Sequence, residues 1–361
     1  MKKKIKIFLF NPYPAIGGVD TTIKRFLQSL DNNFNIEYLS LKKTENFKQK
    51  NIKNRIISSS STLISFFKIY KIFKNDKSKK KIFISFQYFV NIWSIIFIKL
   101  LLRGKIFIHE VNHLDEFRHY SNIKEYFKKK IIKVLVKILY KYADIIASNS
   151  NELSDNLGEY IGKKVNTLYN PCFKKIFPRK KIYKSNHKIN ILNISRFENQ
   201  KDHLTLLKAI NHSKIKRKIN LTLVGYGKNY KMIKNYIKEN KINGKIFINK
   251  TKLNKYYQNS HLYVCCSLYE GLPTTVIEAG SYCLPIVSSN FKSGSREIFI
   301  NGKAGFLFKV GDFKSLSKIL TKFYSNPKTF YRKELICRKN LNRFSIKKNS
   351  LLFKRLINKL V

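Results

Sequence analysis

The sequence predicts an α/β protein of two domains, each built on a parallel β-sheet. Short apolar runs alternate with helix-period runs along the whole chain, the signature of repeated βαβ units. The alternation breaks at Asn170-Pro171, crosses a basic, polar stretch at 174–188 containing Pro178, and starts again. The chain has 361 residues and 43% apolar residues, enough for two ordinary cores. The expected division is therefore 1–173, a linker at 174–188, a second domain at 189–344, and a last helix at 345–361.

The elements follow in order. Ile5–Phe10 is a strand, 11–18 a loop, and 19–30 a helix with Ile23, Phe26, Leu27 and Leu30 on one face. The opening Met1-Lys-Lys-Lys resembles the start of a signal peptide. The apolar run behind it is short, however, and Asn11-Pro-Tyr-Pro follows with no small-residue cleavage site, so a first strand is the better reading. Residues 82–102 are long and apolar, but Gln87, Asn91 and Lys99 interrupt them. A buried strand at 82–87 followed by a buried helix at 90–102 fits better than a membrane span. Strands at 106–111, 144–148 and 165–169, with a helix at 125–142, complete the first half. In the second half, strands at Ile189–Ile194, 220–224, 245–248, 261–266 and 285–288 alternate with helices at 203–210, 230–240 and 313–324. A final helical pattern runs from 345 to 360. Ligands of such folds bind at the carboxyl ends of the strands, which implies a cleft facing both sheets.

The formal charge is +52. Lysine is spread along the chain rather than gathered in an arm, and it accompanies abundant Ile, Asn and Phe. A compositional bias and contact with an anionic membrane surface both account for that; no nucleic-acid partner is expected, because no basic stripe with interleaved aromatics marks a binding module. The helix pattern at 124–141 carries Ile131, Ile132, Leu135 and Leu139 among many lysines. It reads either as a domain-packing helix with a solvated basic face or as a helix lying on an anionic bilayer. Cys172, Cys265, Cys266, Cys283 and Cys337 are odd in number and form no C-x-x-C pair, which fits reduced, buried thiols in a cytoplasmic protein.

The most informative run is Ser267-Leu-Tyr-Glu270-Gly-Leu272-Pro273-Thr274-Thr-Val-Ile-Glu278. A Gly-Leu-Pro turn after a strand opens a helix, whose first N–H groups suit an anion such as phosphate. Glu270 precedes that helix and Glu278 sits in its second turn. Ser195-Arg196 and Lys201 follow the first strand of the second half, where two cations five residues apart can converge on a diphosphate; a pair of solvated basic residues is the plain alternative. Gly17-Gly18 lies between the first strand and first helix, where a backbone can approach a ligand closely or simply turn. His109-Glu110-Val-Asn112-His113 ends a strand of the first half. Gly225-Tyr226-Gly227 looks like a dinucleotide fingerprint, but the third glycine is missing. No His ligand spacing and no Asp-x-Asp pair is present, so no metal site is expected.

The E-x7-E run, with Arg196 and Lys201 five apart, Tyr169-Asn170-Pro171, Ser293-Gly294-Ser295-Arg296-Glu297 and Asn301-Gly302, resembles the family GT4 of retaining glycosyltransferases. The likeness is specific in the second half and loose in the first. It departs from the family pattern at Ser195, where glycine is common. The resemblance implies a GT-B fold, two Rossmann-like domains facing across a cleft, with the C-terminal helix crossing back to the first domain. It implies a nucleotide-sugar donor, UDP-linked, and a saccharide or lipid-linked saccharide acceptor in surface polysaccharide or lipopolysaccharide assembly, with no cofactor or metal. Arg196 and Lys201 would neutralise the diphosphate. Glu270 would contact the sugar and Glu278 the ribose. Leu272, Pro273 and Thr274 would present the phosphate-binding turn, and Gly17 and Gly18 the facing loop. His113 would orient acceptor or sugar. The site would lie at the inner face of the cell membrane.

Three other readings stay open. A glycosidase also uses paired carboxylates; on one continuous helix these two would stand about 12 Å apart, beyond a retaining hydrolase's spacing. A sugar-nucleotide epimerase shares the architecture. A nucleic-acid-binding protein is suggested by charge alone.

Overall fold

A computed structural model describes residues 5–14, 17–43, 47, 49–118, 120, 122–179, 182–185, 187–250 and 252–361. His119, the first four residues and parts of the 11–18 loop and 174–188 stretch lie outside the described residues. The chain divides into two units, Met1–Pro171 with Lys347–Val361, and Cys172–Ile346.

The first unit holds strands β1 (Ile5–Phe10), β2 (Phe34–Ser40), β3 (Ile52–Ile56), β4 (Lys81–Phe86), β5 (Lys105–Glu110), β6 (Ile145–Ser148) and β7 (Asn166–Thr167). They form one parallel sheet in the order β3-β2-β1-β4-β5-β6-β7. Strand β1 is continuously apolar from Ile7 to Phe10 because both of its faces are covered. Ile7 and Leu9 join Phe26, Phe107 and Phe353 on one side. Phe8 and Phe10 join Phe66, Phe73 and Phe97 on the other.

The last helix, Ile346–Asn358, belongs to this first core. Phe353 stacks on Phe26 at 4.6 Å between centroids and meets Phe107 edge-on at 5.7 Å. Burying Phe353, Leu356 and Ile357 is worth about 1.5–3 kcal/mol per side chain. That holds the chain's end to its beginning, as the fold reading expects.

Residues 82–102 do form a strand and a helix. Helix Tyr88–Ser94 continues as a π-helix, Ile95–Leu100, after Gln87 turns through φ 73°. Among the described residues no helix is long and apolar enough to cross a membrane. Strands β2 and β3 and the helices Thr62–Asn75, Asn151–Ile161 and Lys328–Asn340 are not anticipated by the sequence pattern. β3, Ile-Lys-Asn-Arg-Ile, is an edge strand exposed along four of its five residues, so it lacks the alternation that marks a half-buried strand.

The second unit holds β8 (Ile189–Ile194), β9 (Ile219–Gly225), β10 (Gly244–Ile248), β11 (Leu262–Cys265), β12 (Ile286–Ser289) and β13 (Phe306–Phe308). This sheet too is parallel, ordered β10-β9-β8-β11-β12-β13. Described residues of the 174–188 stretch pack on this unit: Arg179 pairs with Glu334, and buried Tyr183 stacks on Phe323 at 5.1 Å. All five cysteines are free and buried.

Candidate active site

Strand order in the second sheet turns outward on both sides of β8 and β11, so the loops after these two neighbours diverge at their carboxyl ends. That topological switch point is where open α/β sheets bind ligands. The loop after β8 carries Ser195, Arg196 and Lys201; the loop after β11 carries Ser267 through Pro273.

The two loops are stitched together. The Leu268 amide donates to the Gln200 carbonyl at 2.8 Å, and Gln200 Nε2 donates to the Tyr269 carbonyl at 2.8 Å. Lys201 Nζ is ion-paired with Glu270 Oε1, which also accepts from Ser267 Oγ at 2.7 Å. Both side chains of the pair are mostly buried, 15% and 11% exposed, so the interaction is stronger than a solvated surface pair. Arg196 is exposed, with Nη2 3.4 Å from Gln200 Oε1. The structure thus separates the two cations: Lys201 is fixed by a carboxylate, while Arg196 presents its fork of donors to solvent.

Pro273 is the N-cap of helix Thr274–Ser281 and supplies no side-chain hydrogen bond. The first helical N–H groups, at Thr274 and its neighbour Thr275, have no intrahelical acceptor and carry the positive end of the helix dipole. Leu272 and Pro273 are buried. Gly271 is held from behind, its carbonyl accepting from the Gly294 amide at 3.1 Å and from Ser293 Oγ at 3.2 Å. A Cβ on Gly294 would stand 2.7 Å from that carbonyl, so the downstream Ser-Gly pair is a close-packed support for the Glu270 turn. Glu270 lies outside the helix, so the spacing of a single helix does not apply to the two acids. They face different partners: Glu278 Oε2 accepts from Tyr257 Oη at 3.2 Å.

The supporting shell was not legible in advance. Ser195 Oγ donates to Asn193 Oδ1 at 2.8 Å and lies 3.0 Å from His203 Nε2. Burial, helped by the Lys201 charge, pushes the His203 imidazole down to about 3, so it is neutral. Tyr263 Oη sits 3.0 Å from the Ile194 carbonyl and 2.9 Å from Thr275 Oγ1, tying the end of β8 to the helix start. The Gly225-Tyr226-Gly227 turn proves to be a brace: the Phe197 amide donates to the Tyr226 carbonyl at 2.6 Å, and a Cβ on Gly225 would lie 1.9 Å from the Ser195 carbonyl oxygen. Only the close approach of β9 to the Arg196 loop, which sequence spacing does not encode, reveals this.

In the first unit, Gly17 is the extended N-cap of helix Gly18–Gln28, with no side-chain cap, and a Cβ there would meet nothing within 4 Å. Its glycine is therefore not demanded by packing. His109, wholly buried, has its Nε2 3.1 Å from the Leu168 carbonyl, and burial pushes its ring down to about 4. Burial pushes Glu110 up to about 8, against donors from the Val111 and Asn112 amides, Tyr140 and Asn91. His113 is 4% exposed. Its Nδ1 accepts from the Asp115 amide at 3.1 Å and its Nε2 lies 3.2 Å from Asn156 Nδ2. It thereby fixes the loop after β5. Among the described residues, no three His, Cys, Asp or Glu side chains converge as a metal cluster.

Residues 175–340 match the family described as glycosyl transferases group 1. A Campylobacter jejuni protein, the GalNAc-alpha-(1->4)-GalNAc-alpha-(1->3)-diNAcBac-PP-undecaprenol alpha-1,4-N-acetyl-D-galactosaminyltransferase, is 27% identical over 281 residues, covering 75% of this chain and 71% of that protein. The N-acetylgalactosamine-N,N'-diacetylbacillosaminyl-diphospho-undecaprenol 4-alpha-N-acetylgalactosaminyltransferase of the same organism is 26% identical over 200 residues, 54% of either chain. The match thus spans about half the length of that relative. Among solved structures, Anabaena HepE in complex with UDP aligns with a TM-score of 0.78 at 14% identity, over 98% of this chain and 100% of that one, a likeness of fold.

Proposed function

We propose, from the premise that residues 175–340 form a glycosyl transferases group 1 domain in a chain of GT-B fold, that the protein is a GT4-type retaining glycosyltransferase. It moves a hexose or N-acetylhexosamine from a UDP-linked donor to a saccharide or lipid-linked saccharide in surface glycan assembly. One observation carries this reading: Arg196, the Lys201–Glu270 pair and the uncapped start of helix Thr274–Ser281 are gathered at the carboxyl ends of β8 and β11. That is an anion site with a carboxylate beside it.

In this reading the diphosphate lies against Arg196, Lys201 and the Thr274 amide, with Leu272 and Pro273 shaping the turn. Glu270 accepts from hydroxyls of the transferred sugar and Glu278 from the ribose. As the bond between the anomeric carbon and the diphosphate oxygen breaks, charge grows on the departing phosphate, and the two cations and helix amides stabilise it. The acceptor oxygen attacks from the same face, and its proton passes to the leaving phosphate. Gly17 and Gly18 leave room for the ligand at the first unit, and His113 orients the acceptor through the loop it fixes. No cofactor is assigned. The names of the two Campylobacter relatives include diphospho- or PP-undecaprenol, which supports a lipid-linked acceptor; in this reading the reaction lies at the inner face of the membrane. HepE's complex with UDP supports the uridine donor.

The test is product analysis with UDP-, GDP- and ADP-sugars, with and without a polyprenyl-diphosphate saccharide. The reading expects acceptor-dependent release of UDP and a product of retained anomeric configuration. Free sugar from glycosides without nucleotide would identify a hydrolase. An altered sugar nucleotide without acceptor would identify an epimerase.

A further inference from the structure

We propose that the helix Ile123–Leu139 seats the chain on an anionic lipid bilayer, its apolar stripe among the acyl chains and its lysines at the headgroups. The proposal goes beyond the sugar-nucleotide reading and does not depend on it.

Five large apolar side chains of this helix are exposed: Ile123 at 66%, Phe127 at 56%, Ile131 at 60%, Val134 at 49% and Ile138 at 50%. Their spacing of 4, 4, 3 and 4 residues places them within about 80° of arc, in a line about 22 Å long. The inward face is different. Val136 is wholly buried, and Ile132, Leu135 and Leu139 pack against the core beside Tyr140 and Leu157. So the face that the sequence offered as one apolar set is split: Ile131 points away from the unit, while Ile132, Leu135 and Leu139 anchor the helix to it. The unit is already packed without the outer stripe.

Charge selects the occupant. Exposed Lys124 and Lys128 flank the stripe on one side, and exposed Lys130 and Lys137 on the other. The helix has a single acid, Glu125, which pairs with Lys129 at 3.0 Å. Exposed Tyr120 and Tyr142 stand just beyond the two ends, where amphipathic rings favour a membrane–water interface. An apolar line bordered by lysines, on a chain of charge +52, matches an anionic leaflet: the stripe inserts and each flanking lysine meets a headgroup.

The test is co-sedimentation of the full chain with vesicles of phosphatidylcholine alone or with about one-third phosphatidylglycerol, at low and high salt. The wild type is expected on the anionic vesicles and to be released by salt. Phe127→Glu with Ile131→Glu, and separately Lys124→Gln with Lys128→Gln and Lys130→Gln, are each expected to weaken binding about tenfold or more. All five side chains are exposed, so thermal midpoints should stay near wild type. Ile64→Glu with Phe67→Glu, on another exposed apolar pair at 50% and 59%, is expected to bind as the wild type does. Absence of wild-type binding, binding unchanged by both helix variants, or equal loss in the Ile64/Phe67 control overturns the proposal. So does a wild-type dimer that Ile131→Glu splits, because the stripe would then cover a second copy. Turnover of sugar nucleotide in detergent is read in parallel, so failure at the membrane is not mistaken for failure of the enzyme.

Discussion

Lys201 and Glu270, sixty-nine residues apart in the chain, form an ion pair between the loops that follow two neighbouring strands of the second sheet. Each partner makes the other's position possible: the carboxylate is also held by Ser267, and the lysine's loop is held by Gln200. Removing one leaves the other charge without its partner in a mostly desolvated place. Lys201→Ala and Glu270→Gln are each expected to lower turnover about 10²–10³-fold, the usual cost of losing a group aimed at developing charge. In a double-mutant cycle on thermal stability, the double variant should cost less than the sum of the single ones. Additive stability losses would show that the pair is not coupled.

Arg196 offers a separate test because it is exposed and bound only loosely to Gln200 at 3.4 Å. Arg196→Ala should leave stability within about 0.5 kcal/mol of wild type while turnover falls about 10²-fold or more. Arg196→Lys should recover only part of it, because an ammonium lacks the planar fork. Full activity in Arg196→Ala would remove it from the site.

Two glycines should behave oppositely. Gly225→Ala would drive a Cβ to 1.9 Å from the Ser195 carbonyl oxygen, so the strand or the Arg196 loop must move; about 2 kcal/mol or more of stability should be lost, with activity. Gly17→Ala meets open space at an extended φ of −173° that any residue adopts. Its thermal midpoint should be unchanged, and any loss of turnover then reports on ligand approach rather than packing.

Acid should loosen the fold through His203. Burial and the Lys201 charge push its imidazole down from 6.5 to about 3. The folded chain therefore binds fewer protons than the unfolded one between those values, and this contribution is complete above about pH 6.5 and lost as pH falls through the window. His109, pushed down to about 4 by burial, has the same sign. Glu110, pushed up from 4.5 to about 8, has the opposite one: its contribution is present below 4.5 and lost as pH rises towards 8. The discriminating measurement is the difference between proteins: His203→Gln should lose less of its melting temperature between pH 7 and 5 than wild type does.

Much of the fold was readable because strands such as Leu262–Cys265, buried at every residue, must be continuous apolar runs in a parallel sheet. The restart after Pro171 gave two units for the same reason. Helix Thr62–Asn75 was opaque: Leu63, Ile64, Phe66, Phe67, Ile69, Tyr70, Ile72 and Phe73 crowd it with apolar residues on every side, leaving no periodic face to read, although Ser61 caps it by accepting from the Ile64 amide at 3.2 Å. At the site, Arg196, Lys201 and Glu270 were legible because short-range spacing places charges on strand-end loops. What stabilises them was not. Ser195 with His203, Tyr263 with Thr275, and Gly225 against Ser195 are contacts created by neighbouring strands and the helix packed on them. The stripe Ile123, Phe127, Ile131, Val134 and Ile138 shows the same limit, since periodicity alone does not say which apolar side of a two-sided helix faces the core.

The most direct measurement is calorimetric titration of the full chain with UDP and with uridine, in wild type and in Arg196→Ala combined with Lys201→Met. A diphosphate held by these two cations requires that wild type bind UDP far more tightly than uridine. The double variant should lose about 10²-fold or more for UDP and nothing for uridine. Equal UDP affinity in the two proteins, with both folded, would contradict the assignment.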